Sequence, residues 1–96
     1  MFSWDLAKAA INLLKHKVSF MEACSVFEDT QALEGLDIRH SEKEERRFII
    51  GGSDKARTLT VIFTVRRHQN GNETIRIISA RQTSRKERKA YAGQRN

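Results

Sequence analysis

Two strand-like segments separated by an Asn-Gly dipeptide constrain the fold of this chain more than any other feature of the sequence. Thr58–Arg67 is rich in Val, Thr, Ile and Phe, which favour β-strands, and Glu73–Arg81 has a similar pattern. The dipeptide at 70–71 is typical of a two-residue β-hairpin turn. The sequence therefore predicts an antiparallel hairpin in which Val65 lies opposite Arg76.

This register sorts the side chains of the sheet onto two faces, because neighbouring residues of a strand point to opposite sides. Further strands are predicted at Arg46–Gly51 and Ala32–Ile38. The core face is expected to gather Phe48, Ile50, Leu59, Val61, Phe63, Val65, Ile78 and Ala80. The other face is expected to gather Glu45, Arg47, Thr58, Thr60, Thr64, Arg66, Ser79 and Arg81, with Ile49, Ile62, Ile75 and Ile77 among them. A half-polar face with several arginines is where we expect a ligand to bind.

The two N-terminal helices are predicted from their caps and from apolar residues at helical spacing. The first begins at the N-cap Asp5 and ends near His16. The second begins with a capping box, in which Ser19 and Glu22 should satisfy each other's backbone donors. The apolar faces expected to cover the sheet comprise Ala7, Ala10, Ile11 and Leu14 in the first helix and Phe20, Ala23, Cys24 and Phe27 in the second.

A second capping box, formed by Ser84 and Glu87, predicts a short basic helix that ends near Gly93. The order helix, helix, strands, helix is typical of an α+β domain. We therefore expect two N-terminal helices packed on one face of a three- or four-stranded antiparallel sheet, with a short basic C-terminal helix. Residues 1–92 should form this single domain, followed by a flexible tail at 93–96.

Several classes of protein are disfavoured by the sequence. The longest apolar runs are a few residues and no secretory leader pattern opens the chain. We therefore expect a cytoplasmic protein that does not associate with a membrane. The single cysteine, Cys24, excludes an internal disulfide and multi-cysteine zinc sites. His16, His40 and His68 lie far apart in sequence, so no metal and no other cofactor is expected.

The net charge of +6 is concentrated near the C-terminus. Residues 76–96 contain seven lysines and arginines and one acid, whereas basic and acidic residues balance over 1–75. A concentrated positive patch attracts polyanions such as nucleic acid, an anionic membrane surface or an acidic protein. A solvated basic tail without a partner would have the same composition.

The arginines, lysines, histidines and carboxylates suit cleavage of RNA without a metal ion. Such cleavage needs a base for the ribose 2′-OH, an acid for the leaving 5′ oxygen and fixed cations for the phosphate charge. Arg66 and Arg81 are suited to hold phosphate oxygens, because guanidinium groups bind them bidentately. His16 or Glu45 is suited to move protons. The alternatives are solvation of two strand-end arginines and a histidine that stabilises a helix C-terminus.

A set of motifs that covers nearly the whole chain resembles the BrnT family. The most specific are Lys15-His16-x-Val18-Ser19-Phe20 and Arg76-Ile77-Ile78-Ser79-Ala80-Arg81, and further matches in register include Phe2-x-Trp4-Asp5, Glu45-Arg46, Thr64-x-Arg66 and Glu87-Arg88-x-x-Tyr91. BrnT proteins are ribonuclease toxins of bacterial type II toxin–antitoxin pairs. The resemblance implies a RelE-like fold, an RNA substrate and a BrnA-like antitoxin, with promoter DNA bound only by the toxin–antitoxin complex.

Carried over position by position, the resemblance implies that Arg66, Arg81 and Glu45 lie at or near the cleavage site, with Lys15 and His16 as further candidates. The residues expected to bind RNA are Lys15, Arg47, Arg85, Lys86, Arg88 and Lys89. Two positions depart from the family pattern: Lys17 replaces a glycine and Val65 replaces a common acidic residue. Glycine after a helix adopts a left-handed backbone without steric cost, so lysine should cost about 1 kcal/mol there.

Three functions of different classes remain open at this point. The first is an endoribonuclease toxin that inhibits translation by cleaving RNA without a metal. The second is a non-catalytic nucleic-acid-binding module that acts through the basic C-terminus. The third is a protein-interaction domain that neither cleaves nor binds RNA. The oligomeric state is open as well, and a homodimer within a heterotetramer is one arrangement that the resemblance allows.

Overall fold

The computed structural model describes residues 1–38 and 45–95 of the chain. Over these residues it has five strands in one sheet, three α-helices, and a 3₁₀ turn at Val26–Glu28 after the second helix. In chain order the elements are β1 (Phe2–Ser3), α1 (Leu6–His16), α2 (Phe20–Ser25), β2 (Leu33–Leu36), β3 (Arg47–Gly52), β4 (Thr58–Arg67), β5 (Glu73–Gln82) and α3 (Arg85–Arg95). The order of strands across the sheet is β1-β5-β4-β3-β2.

The expected three- or four-stranded antiparallel sheet is wrong, although the fold is α+β. The sheet has five strands and is mixed, because β1 pairs in parallel with β5. The missed strand has two residues, with Phe2 paired to Ile75 and Ser3 to Arg76, and a segment that short has no periodicity to detect. The prediction that both N-terminal helices cover the sheet is also wrong for the first helix. α1 packs beside β5, and its main apolar stripe is exposed.

The predicted helix starts are correct where a short polar side chain precedes the helix. Asp5 Oδ1 accepts the N–H of Lys8 at 3.0 Å, and Ser19 Oγ accepts the N–H of Glu22 at 3.0 Å. Ser84 and Glu87 form the complete capping box, since each side chain accepts a hydrogen bond from the other residue's N–H. The third helix continues past Gly93, where its end was expected, to Arg95.

Glu22 does not complete the capping box with Ser19, because its carboxylate is engaged elsewhere. The carboxylate is buried and accepts hydrogen bonds from the guanidinium of Arg57 and from Ser53 Oγ, the latter at 2.6 Å. These hydrogen bonds, led by Arg57, lower the pKa of Glu22. The pair therefore ties α2 to the loop between β3 and β4, and a guanidinium N–H of Arg57 also reaches Lys17 O at 3.0 Å.

Lys17 has the left-handed backbone that its position after α1 predicts, with φ 59° and ψ 32°. Its N–H donates to Leu13 O at 2.9 Å, which closes the helix. We expect Lys17→Gly to raise the free energy of unfolding by about 0.5–1 kcal/mol, because glycine removes the steric cost of this conformation. The larger conformational entropy of glycine in the unfolded chain cancels part of this gain. Urea denaturation measures the change. Lys15→Gly, within the helix, should lower stability by about 1 kcal/mol, and equal effects at the two positions would contradict this explanation.

The hairpin between β4 and β5 has a three-residue turn at 69–71, and the two-residue turn expected from Asn-Gly is wrong. The His68 N–H donates to Asn72 O at 2.8 Å, the Gly71 N–H donates to His68 O at 3.0 Å, and Gly71 has φ 88°. This is the geometry of a type I turn that ends in a left-handed glycine. The extra turn residue shifts the register by one, so that Val65 pairs with Ile75.

A β-bulge in β5 then restores the register that the sequence predicted. Phe63 pairs with Ile77 and Ile62 pairs with Ser79, so that Ile78 is the additional residue. Beyond the bulge Val61 pairs with Ala80, as expected. Ile77 therefore occupies the core position that had been expected for Ile78.

The core lies on the face of the sheet that α2 covers. On β3 the expected alternation is inverted: Ile49 belongs to the core, whereas Phe48 and Ile50 lie on the other face, because Ile49 pairs with the core residue Val61. Cys24 is partly buried against this core, and its burial raises the pKa of its thiol. The core comprises Val18, Phe20, Ala23, Val26, Ile49, Leu59, Val61, Phe63, Ile77 and Ala80.

Asn12 is the buried polar residue that joins α1 to the sheet. Its Nδ2 donates to Ala80 O at 2.8 Å and to Val18 O at 2.9 Å, and its Oδ1 accepts the Ala80 N–H at 3.1 Å. The side-chain amide thus bonds the backbone of β5 as a neighbouring strand would, beyond the point where β1 ends.

Candidate functional site

The face of the sheet opposite the core, which we call the open face, carries a series of polar and basic side chains on β4 and β5. Cross-strand pairs place Arg66 beside Thr74, Thr64 beside Arg76, and Thr60 beside Arg81. Arg76 and Arg81 are an odd number of residues apart, so regular alternation would place them on opposite faces. The bulge at Ile78 places both on the open face.

At the hairpin end of the open face lies a group that we call the arginine cluster, comprising Arg66, His68, Thr74 and Arg76. Within residues 1–38 and 45–95, Arg66 is exposed and has neither a hydrogen-bond nor an ion-pair partner. A ring nitrogen of His68, Nε2, lies 2.7 Å from Thr74 Oγ1. Arg76 is near enough to Asp5 to contribute to lowering the pKa of that carboxyl.

The chemistry of the arginine cluster is that of an anion site. Two guanidinium groups on neighbouring strands, at diagonal positions of one face, can bind the oxygens of a single phosphate group. The imidazole of His68 is exposed, and its hydrogen bond to Thr74 orients the ring at the edge of the cluster. A depression of about 310 Å³ adjoins it, lined by Met1, His68, Asn70, Asn72, Glu73 and Thr74.

A second cavity, which we call the α3 groove, lies where α3 crosses the open face. It has a volume of about 400 Å³, with Phe48, Ile50 and Ile62 among its apolar lining and Arg81, Lys86 and Glu87 among its charged lining. The helix is held there by the buried Tyr91, whose hydroxyl donates to Asp29 Oδ2 at 2.6 Å. The open face is therefore partly covered by α3.

In the α3 groove Arg81 is bound to Glu87 by two hydrogen bonds of 2.7 and 2.8 Å. Glu87 also accepts the Ser84 N–H at 3.0 Å and lies 3.2 Å from Thr60 Oγ1. The Arg81 hydrogen bonds are the main cause that lowers the pKa of Glu87 to about 2. The carboxylate is therefore ionised at neutral pH, and it offsets the charge of Arg81.

The structure does not bring together all the residues that the sequence assigned to the cleavage site. Arg66 and Arg81 share the open face, but Thr60, the partner of Arg81, lies six residues from Arg66 along β4. At about 3.4 Å per residue this is a separation of roughly 20 Å, too far for both to hold one phosphate. Glu45 lies just before β3, with an oxygen 3.3 Å from an Arg47 nitrogen, and both side chains are exposed.

The other assigned residues lie on the helices. Lys15 and His16 form the last turn of α1, beside β5 and away from the arginine cluster. The basic residues of α3 are largely exposed, and a guanidinium N–H of Arg88 donates to Thr83 O at 3.4 Å. The basic residues expected to contact RNA on this helix are Arg85, Lys86, Arg88 and Lys89.

The sequence analysis did not include Arg76, His68 or Thr74 among the candidate residues. For Arg76 the reason is the turn, because a two-residue loop would have placed it opposite Val65, on the core face. The alternation of Thr74 and Arg76 with Ile75 and Ile77 was the available signal, because it indicates a polar open face and an apolar core face.

The described residues contain neither a metal-binding cluster nor a membrane-spanning helix. Outside the gap at 39–44, which contains His40, no three His, Cys, Asp or Glu side chains lie close enough together to hold a metal ion. None of the helices in the described part of the chain is both long and apolar enough to pass through a membrane.

Comparison with known proteins assigns the chain to a family. Residues 4–87 match the model of the ribonuclease toxin BrnT of type II toxin–antitoxin systems. The crystal structure of the Brucella abortus ribonuclease toxin BrnT is similar, with a TM-score of 0.65 and 28% identity over 88% of this chain and 99% of that one. The search of curated proteins returned no match. The family match covers most of the sequence, and the chain therefore belongs to the BrnT family of ribonuclease toxins of type II toxin–antitoxin systems.

Proposed function

We propose that this toxin cleaves RNA in the cytoplasm without a metal ion, and that the arginine cluster is where the scissile phosphate binds. The observation that carries the proposal is Arg66, an exposed guanidinium with no partner in the described parts of the chain, next to Arg76 on the same face. Arg81 is a weaker candidate for this phosphate, because Glu87 already occupies its guanidinium.

The proposed reaction is an attack by the ribose 2′ oxygen on the adjacent phosphorus. His68 accepts the proton of the 2′-OH as the new P–O bond forms, and the bond to the 5′ oxygen breaks. The leaving oxygen takes a proton from solvent, and the products are a 2′,3′-cyclic phosphate and a free 5′-OH. Arg66 and Arg76 stabilise the negative charge that builds on the phosphoryl oxygens. Glu45 and His16, which lie outside the cluster, are the alternative proton carriers.

The flanking RNA is proposed to follow basic residues on either side of the cluster. Toward α3 it would pass Arg81 and Lys86 in the α3 groove and continue along the exposed basic residues of the helix. Lys15 and Arg47 are proposed as outlying contacts. Phosphate contacts of this kind make binding weaken steeply with salt.

The partner of the toxin is proposed to be a BrnA-like antitoxin. A type II system pairs a toxin with a protein that neutralises it, and membership of the family supports such a partner. Binding of promoter DNA is proposed only for the complex, with a homodimer of toxins within a heterotetramer as its arrangement.

The test is to incubate the purified protein with RNA in excess EDTA and to analyse the ends of the products. We expect cleavage to continue, with 2′,3′-cyclic phosphate ends. Intact RNA with a salt-sensitive mobility shift would instead support a non-catalytic nucleic-acid-binding module, which the basic α3 also favours. Cleavage that stops in EDTA and returns with Mg²⁺ would contradict the metal-independent reaction.

A further inference from the structure

The outer side of α1 is an apolar surface that nothing in the described residues covers. Leu6, Ile11 and Leu14 are large apolar side chains with 81%, 62% and 75% of their surface exposed. Leu13 is exposed as well, whereas the same helix turns Asn12 toward the sheet. Several large exposed apolar side chains on one helix are unusual in a monomer and typical of an interaction site.

These side chains form one continuous band on the helix. At about 100° per residue, Leu13, Leu6, Leu14 and Ile11 fall within an arc of roughly 160°, with Ala7 and Ala10 between them. This arc, which we call the α1 band, is as wide as the apolar face of a helix that packs on a core. Its width explains why the sequence predicted that α1 covers the sheet.

Lysines border the α1 band along one side. Lys8 and Lys15 follow Ile11 around the helix, and between Leu6 and His16 there is no acidic residue. A partner with acidic side chains at its margin would therefore complement this surface. A second copy packed antiparallel would instead bring the lysine margin of one helix against that of the other, which is unfavourable.

The size of the band also argues against simple self-pairing. An 11-residue helix is about 16 Å long and about 10 Å wide, so its face is far smaller than the ~800 Å² per partner of a standard interface. A partner bound stably here must extend beyond α1. A segment of an antitoxin that continues around the edge of the sheet can do so, whereas a second α1 cannot.

We propose that the α1 band is the anchor site for an apolar, acid-flanked segment of the antitoxin. The inference rests on the antitoxin partner proposed above. Because the band lies on α1 and the arginine cluster lies on the open face, the two share no residue, and only Lys15 at the margin of the band is also proposed to contact RNA. Loss of the band should therefore abolish neutralisation and leave the toxin active.

The test uses the double variant Ile11→Gln/Leu14→Gln and, as the antitoxin, the product of the small reading frame that a type II system is expected to have beside the toxin gene. Both side chains are exposed and glutamine favours helices, so the free toxin should keep its urea midpoint and its RNA cleavage rate. Calorimetry should show at least a ~100-fold weaker affinity for the antitoxin. The control Leu36→Gln/Ile38→Gln removes two exposed apolar side chains elsewhere and should change the affinity less than threefold.

The reverse-charge variant Lys8→Glu/Lys15→Glu tests the acidic flank, and we expect it to weaken antitoxin binding most at low salt. Unchanged affinity in the glutamine variant would overturn the proposal. Sedimentation that shows a dimer of the free toxin becoming a monomer in this variant would assign the band to a second copy. Binding to phosphatidylserine vesicles that the variant loses would assign it to a lipid surface. Calorimetry does not depend on cleavage, so failure of the ribonuclease proposal would leave this test intact.

Discussion

Replacing Asn12 with alanine is expected to lower the free energy of unfolding by about 3–5 kcal/mol, the largest stability effect among the substitutions considered. The change removes the partners of three backbone groups at once: the Ala80 N–H, the Ala80 C=O and the Val18 C=O. Each buried group left without a partner costs about 1–3 kcal/mol. A domain of this size has only about 5–15 kcal/mol to lose, so the variant should be close to unfolded at 37 °C.

The expected loss of stability in Asn12→Ala is large because β1 ends before it reaches Ala80. The first strand covers the edge of β5 only at Ile75 and Arg76, and Ala80 lies further along, where none of the described strands pairs with this edge. A side-chain amide supplies both a donor and an acceptor, which is what an edge residue of a strand requires.

Urea denaturation of the purified variant measures the loss, and Leu13→Ala provides the matched control. Leu13 is the next residue of α1 and is half exposed, so its truncation should cost less than about 1 kcal/mol. Asn12→Asp should be nearly as damaging as Asn12→Ala, because a carboxylate would face two carbonyl oxygens. A loss of under 1 kcal/mol for Asn12→Ala would show that water or a rearranged neighbour forms hydrogen bonds with the backbone groups of Ala80 and Val18 instead.

Replacing Arg66 with alanine should reduce RNA cleavage about 10²–10³-fold without changing the urea midpoint. The guanidinium has no partner within the described residues, so its removal breaks no internal contact. In the proposed reaction it stabilises charge on the phosphate, and loss of one such group typically has an effect of this size. Arg66→Lys should recover only part of the activity, because lysine keeps the charge and loses the bidentate geometry.

Arg67 provides a control for Arg66, because its side chain differs mainly in the face of the sheet to which it points. Arg67 is the next residue of β4, faces the other side of the sheet, and pairs with Glu73 at 2.8 Å. Arg67→Ala should leave cleavage within about threefold of the wild type, since exposed ion pairs contribute little. Equal losses in the two variants would indicate a general effect of positive charge. Full activity in Arg66→Ala would remove this residue from the mechanism.

Local chemistry made part of the fold predictable. Asp5, Ser19 and Ser84 stand directly before helices, and each accepts the backbone hydrogen bond that its position predicts. The β4 and β5 strands were equally clear, because β-branched and aromatic residues fill most of 58–65 in β4 and β-branched residues fill most of 74–78 in β5.

The assignment of side chains to the two faces of the sheet could not be predicted, because it depended on single added residues. One extra residue in a turn or a bulge moves the side chains that follow it to the opposite face. The turn at 69–71 holds three residues instead of two, and the choice between these turns is not determined by Asn-Gly alone. The resulting shift of the register by one residue placed Arg76 on the open face with the candidate site instead of on the core face. The apolar pattern of α1 was also ambiguous, since it identifies a buried face but does not say whether the sheet or another protein buries it.

The bulge at Ile78 has a consequence for how this sequence can change over evolutionary time. If β5 lost the bulge and kept all its residues, Ile78 would pair with Ile62, and every later side chain of the strand would change face. Arg81 would turn toward the hydrophobic interior and Ala80 would leave it, which would damage the packing and the phosphate-binding row together. Deletion of Ile78 would instead leave Ala80 opposite Val61 and Arg81 opposite Thr60, so it should be tolerated better than the insertion of one residue at the same place.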